Sequence, residues 1–205
     1  MNENHDLYEN EAKKPIPPQQ TGKENGDGEF EEPGFNFKKL MKEWVIPAAL
    51  EIAVVLLLFK FVFFFVIVPT GSMVPTIQEH SFLFATRVHN PEKSLQRGDI
   101  VVFNSDELGM LLVKRLIGLP GETVVVDESG KVTVNGVPLE EPYVKNQDTL
   151  PGEFQVPVDS YLFFGDNRSG SGDARRWQQP YIPVQKITGE ARFTLWPFSN
   201  FGLLD

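Results

Sequence analysis

Residues 45–68 read VIPAALEIAVVLLLFKFVFFFVIV, 24 positions in which only Glu51 and Lys60 carry charge. At 1.5 Å per residue a helix of that length reaches ~36 Å, enough to cross a bilayer. A cleaved leader has an apolar part of about 7–15 residues near the N-terminus. This run is longer, starts later and ends in bulky Phe and Val, so it predicts a transmembrane helix that stays with the chain.

Working outward, residues 1–37 hold nine acids against Lys13, Lys14 and Lys23, with Pro15, Pro17, Pro18 and Pro33 and no apolar period. Such a segment cannot bury enough surface to offset ordering, so it predicts a disordered acidic tail. The tail accounts for six of the nine net negative charges, the difference of its nine acids and three lysines. The remainder is close to neutral, and nothing suggests a nucleic-acid surface. Residues 38–68 form the juxtamembrane segment and span, and residues 69–205 the main body. Lys38, Lys39 and Lys42 precede the span, whereas PTGSMVPTIQEH after it has no Lys or Arg. The positive-inside rule then puts the tail in the cytoplasm and the body outside, a single-pass type II topology. Glu51 and Lys60 cost at least ~2.5 kcal/mol each near the bilayer centre. They either contact a partner helix or another copy, or are accommodated by snorkelling and a shifted span.

Beyond Pro69 the pattern turns to short β-branched and aromatic runs: Ile100–Phe103, Leu111–Ile117, Thr123–Val126, Lys131–Val134, Tyr161–Phe164 and Ala191–Trp196. Asp127–Gly130 and Asn135–Gly136 punctuate them as hairpin turns do. No long amphipathic helical pattern and no repeat follows residue 70, so the outer body is predicted to be all-β. The chain has no cysteine, which excludes disulfides, thiolate zinc sites and cysteine nucleophiles.

Four segments carry chemistry: PTGSMVPT (69–76), RGDIVVF (97–103), VKRLIGLPGE (113–122) and GDNRSGSGDARRW (165–177). Ser72 lies about four residues past the predicted membrane exit, within ~15 Å of the bilayer surface. Gly71 permits close approach of a substrate backbone, and Pro75 keeps Ser72 out of a continuing helix. In the third segment strand alternation puts Lys114 in one row with Met110, Leu112 and Leu116. Apolar surroundings disfavour the charged amine, and a lysine whose pKa falls by about 2–3 units can take a proton from a serine near neutral pH. Either residue alone has a bland reading, a loop serine or a snorkelling lysine; the pair points to a serine nucleophile with a lysine base. A serine-histidine-aspartate triad would need His5, His80 or His89, which sit in the tail or in polar loop-like stretches. No HExxH or similar ligand cluster occurs, so neither a metal nor another cofactor is expected.

The order Ser-Met-X-Pro-Thr, Arg-Gly-Asp, Lys-Arg-X-Ile-Gly-X-Pro-Gly and Gly-Asp-Asn-Arg-X-X-Ser-X-Asp, behind one N-terminal anchor, resembles bacterial type I signal peptidases from about Trp44 onward. The resemblance implies an extracytoplasmic catalytic β-fold, shared with self-cleaving repressors, and cleavage of signal peptides through an acyl-serine. It implies Ser72 as nucleophile, Lys114 as general base, Thr70 with the Ser72 N–H as the oxyanion hole, and Ser171 as the group that aims the lysine. Arg115, Asp166, Asp173 and Arg175 match supporting charged positions, while Arg97–Asp99 and Gly118–Glu122 read as turn architecture. Partners implied are secretory precursors with signal peptides, the lipid bilayer and the secretion translocon. Ala174 and Gln178 depart from residues common in the last box, serine and glycine, and the short stretch around 123–158 implies a reduced inserted hairpin region. A self-cleaving repressor would carry a DNA-binding module where this chain has a span. A dead relative acting as an assembly chaperone would have lost Ser72 or Lys114.

Overall fold

The computed structural model describes residues 36–204, so the expected tail lies outside the described residues except for Asn36 and Phe37. Phe37–Phe61 is one apolar helix, α1, opened by a wider turn at Met41–Val45. None of its residues is buried, although the Phe59 ring meets Phe63 and Phe65 of the strand that follows, and by length and apolarity it can cross a membrane.

The apolar run does not stay helical to Val68, which corrects the predicted boundary. After Val62 the chain enters strand β1, Phe63–Val68. Aromatic and β-branched residues fit a pleated surface, and β2, Ser81–Arg87, supplies hydrogen-bonding partners along all six residues, from Phe63↔Thr86 to Val68↔Ser81. Val66 and Val68 are buried while Phe65 and Ile67 face out. An apolar run cannot reveal this switch through its period, because helix and buried strand look alike there.

The remaining strands are β3 (Ile100–Ser105), β4 (Met110–Gly118), β5 (Thr123–Val126), β6 (Val132–Val134), β7 (Val137–Pro138), β8 (Gly152–Gln155), β9 (Ser160–Phe164), β10 (Tyr181–Pro183), β11 (Ile187–Trp196) and β12 (Gly202–Leu203). The larger, antiparallel sheet runs β1-β2-β11-β3-β4-β9-β10, with β12 beside β11. The smaller sheet, β7-β6-β5-β8, lies within 123–155. Its β6–β7 turn is Asn135–Gly136, both at positive φ (50° and 78°), the backbone a two-residue hairpin demands. One core cluster, including Val68, Met73, Ile77, Leu83 and Val113, lies under the chain between β1 and β2; another, including Ile117, Val124, Leu162 and Phe164, joins the two sheets.

Two of the open edges of the large sheet lie on β1 and β4. β1 is paired on one side only. β4 pairs with β9 through Arg115, Leu116 and Gly118 alone, so Met110–Lys114 keeps an edge unpaired by any strand among the described residues.

Candidate active site

Ser72 sits in a single 3-10 turn, Gly71–Met73, immediately after β1. Met73 is wholly buried in the core below and anchors the turn, and Val74 turns to extended backbone ahead of Pro75. Lys114 lies in the middle of β4, opposite Val101 of β3. The two residues are 42 apart in sequence, yet Lys114 Nζ donates a hydrogen bond to Ser72 Oγ. Both are buried, at 3% and 6% exposure.

Burial lowers the Lys114 pKa from its ordinary value of 10.5 to about 8, against the opposing pull of Asp173 and then Asp166. Neither carboxylate forms an ion pair with the amine, so desolvation wins. Thr70 Oγ1, at the head of the same turn, lies 3.4 Å from Ser72 Oγ.

Beside this pair lies a small cleft of about 40 Å³. Ile67 and Val68 of β1 form one wall, and Leu112 and Val113 of β4 the other, so the two free strand edges face the same space.

The charged residues of the last box are placed as braces. Arg115, the next residue along β4, grips Asp166 with two hydrogen bonds, Nε to Oδ1 at 2.9 Å and Nη2 to Oδ2 at 2.8 Å. Asp166 also accepts from Thr76 Oγ1 at 2.5 Å, which ties the chain just beyond Ser72 to β4. Asp173 accepts from the Gly165 N–H and pairs with Arg175, each at 2.9 Å. The Arg97–Asp99 turn and the loop at Gly118–Glu122 are joined by an ion pair, Arg97 Nη2 to Glu122 Oε1 at 2.6 Å, as turn architecture. Ala174 is buried, and the Gln178 N–H donates to Glu107.

Ser171 is not joined to Lys114. Its hydroxyl is buried without a hydrogen-bond partner among the described residues and lies against Gly165. A Cβ at Gly165 would come within 2.2 Å of Ser171 Oγ and 2.5 Å of the Ser72 carbonyl oxygen, so only glycine lets this segment close on the Ser72 turn. Neither His80 nor His89 hydrogen-bonds to the pair; His89 Nε2 meets the Phe61 carbonyl at 2.8 Å, and the His80 backbone N–H donates to the Val68 carbonyl at 2.7 Å.

Two contributors escaped the sequence reading. The Asn167 N–H donates to the Ser72 carbonyl and Asn167 Nδ2 to the Gly71 carbonyl, both at 3.0 Å. Asn167 thus holds the Ser72 turn by its backbone. The loop from Glu141 to Asp148 laces the small sheet to the same box: Glu141 pairs with buried Arg168, Asn146 Nδ2 donates to Asn167 Oδ1 at 3.1 Å, and Tyr143 lies 3.9 Å from the Arg115 guanidinium.

A serine hydrogen-bonded to a buried lysine, in a turn pinned by the last box, agrees with what sequence comparison finds. The family described as signal peptidase, peptidase S26, matches residues 41–196. The chain belongs to the signal peptidase family, peptidase S26. It is 40% identical over 146 residues to signal peptidase I of Leptolyngbya laminosa, covering 67% of this chain and 70% of that protein. Signal peptidase I of Bacillus licheniformis is 32% identical over 186 residues, 85% of this chain and 99% of that one. A crystal structure of signal peptidase I from Enterococcus faecalis aligns at 33% identity with a TM-score of 0.41, over 48% of this chain and 97% of that chain. As a type I signal peptidase the chain cleaves signal peptides from precursors that bear them.

Proposed function

We propose that this signal peptidase works through a Ser72–Lys114 dyad on the outer face of the membrane. The observation that carries the reading is the hydrogen bond between the Lys114 amine and Ser72 Oγ, on a lysine that burial keeps easy to deprotonate. The neutral amine takes the Ser72 proton, and Oγ attacks the carbonyl carbon of the scissile bond. The oxyanion that forms is held by the Ser72 N–H and the Thr70 hydroxyl; such a donor is typically worth ~3–4 kcal/mol in the transition state. Collapse breaks the C–N bond, and the Lys114 ammonium passes its proton to the leaving amine. Water, deprotonated by the same lysine, then frees the acyl-serine. Ser171, with a buried hydroxyl that has no other partner among the described residues, turns to aim the amine.

The precursor binds extended, pairing its backbone with the free edges of β1 and β4. A cleft of about 40 Å³ between apolar walls favours small side chains before the cut, alanine above all. Helix α1 anchors the body in the lipid bilayer, with the lysines at 38, 39 and 42 on the cytoplasmic side and the body beside the translocon's exit.

The test is to incubate purified protein with an Ala-X-Ala precursor peptide and map the new termini. Cleavage after the second alanine, absent with Ser72→Ala, is expected; a cut elsewhere or an active variant overturns the reading. Protease added to intact protoplasts should digest the body and spare residues 1–37, and the opposite pattern overturns the topology.

A further inference from the structure

With β1 starting at Phe63, the apolar helix ends at Phe61, and this moves Glu51 toward the middle of the span. Phe61 lies ten residues on, about 15 Å along the helix, and Lys42 nine residues back, about 13.5 Å. A glutamate side chain is far too short to bridge either distance to the headgroups. Lys60 differs, since it sits one residue from the helix end with its ammonium over the Phe61 ring, where a long side chain reaches the interface. The helical neighbours of Glu51 at three and four residues are Pro47, Ala48, Val54 and Val55, none of which can donate a hydrogen bond from its side chain or balance charge. The whole face is exposed, with no part of it buried against the body.

We propose that the Glu51 face of α1 docks a membrane helix of a different polypeptide that carries a lysine or arginine at mid-bilayer depth. The inference rests on the reading of α1 as a span. Charge complementarity selects the occupant: an acid held in hydrocarbon faces the bundle interior and pairs with a basic group. A second copy of this chain is disfavoured, because parallel copies set Glu51 against Glu51, and Lys60 stands nine residues along the axis. A precursor's apolar segment offers no counter-charge at that depth.

The chain has no cysteine, so single cysteines can carry a photo-crosslinker without background. Ala48→Cys and Val55→Cys report the Glu51 face, and Ala53→Cys the opposite face. In cells making the full chain, the first two should give an adduct with another membrane polypeptide that Ala53→Cys does not give. Adding Glu51→Leu should cut its yield at least fivefold. The crosslinked peptide should contain Lys or Arg within an apolar stretch; changing that residue to Glu should abolish the adduct, and Glu51→Lys should then restore it. An adduct of twice this chain's mass, a mapped span without a basic residue, a yield indifferent to Glu51→Leu, or no adduct from either reporter overturns the docking. Release of the chain by alkaline carbonate overturns the span itself and the docking with it, whereas a retained chain without adduct overturns the docking alone.

Discussion

Lys114 and Arg115 are neighbours on β4, and they are buried almost equally, at 3% and 2% exposure, yet their surroundings are opposite. Arg115 is gripped by Asp166 through two hydrogen bonds, donates to the Gly98 carbonyl at 2.7 Å and lies against Tyr143. Lys114 meets a serine hydroxyl and no ion-paired carboxylate among the described residues. Guanidinium keeps its proton in any protein environment, so its burial must be matched by a fixed counter-ion, whereas an amine can shed its charge when desolvated. Strand alternation sends the two side chains to opposite faces, which lets one strand hold a brace and the proposed base one residue apart.

The sharpest way to break this contrast is to remove the base. Lys114→Met should lower kcat for peptide cleavage by about a thousandfold or more while the protein stays folded. Activity above a tenth of wild type would end the assignment. On the Arg115 side the loss should appear in stability. Asp166→Ala leaves a buried guanidinium without its carboxylate and should cost about 3–5 kcal/mol in denaturant unfolding. An unfolding midpoint unchanged by Asp166→Ala would mean that the pair is not the brace described.

The same Lys114→Met variant sharpens the comparison through the opposite sign. The unfolded chain holds the Lys114 proton up to about pH 10.5 and the folded chain up to about 8. Wild-type stability contributed by this group therefore rises between those pH values, and below 8 the buried charge opposes folding by roughly 3 kcal/mol. Lys114→Met should remove that slope and stabilise the protein at pH 7 by an amount of that order, read by thermal unfolding at several pH values. Wild-type activity should climb tenfold per pH unit up to about 8 and then level. Replacing His80 and His89 together should leave this limb in place; its disappearance would make a histidine the base.

A smaller effect is expected at Asn167, which touches neither reacting atom but holds the turn that carries one. Asn167→Ala should lower kcat about ten- to a hundredfold with KM and the pH limb little changed. A shift of the limb would place the amide in proton transfer instead.

Much of the site was legible because its chemistry is concentrated in boxes. Ser72 and Lys114 could be paired as soon as a desolvated lysine was matched to a serine between a glycine and a proline. Two strands of the small sheet are also plain, β5 with its actual limits and β6 within one residue, since Asp127–Gly130 and Asn135–Gly136 mark the turns around β6; β7 and β8 carry no such signal. Three kinds of information were hidden. β1 lay inside an apolar run where helix and strand share one composition. β2 has Leu83 and Ala85 buried on one face and half-buried Phe82 and Phe84 on the other, which blurs the alternation that marks a strand. Asn167 acts on backbone carbonyls of Gly71 and Ser72, and a carbonyl leaves no residue type to read in the partner segment. Ser171 shows the converse limit: family resemblance named its role, and the observed hydroxyl has no partner among the described residues.

Only Val62 separates α1 from β1, and that junction is tied on both sides. The Arg87 N–H donates to the Val62 carbonyl at 2.7 Å, and His89 meets the last helical carbonyl, that of Phe61. There is no slack tether between anchor and enzyme. Ser72 follows the far end of that six-residue strand by four residues, so about 20 Å of sheet separates the end of α1 from the turn that carries it. On the proposed topology, a precursor lodged in the same bilayer would have to present its scissile bond at the matching distance beyond its own apolar segment. The enzyme would then act as a ruler, judging how far a bond lies from the lipid as well as which side chains flank it.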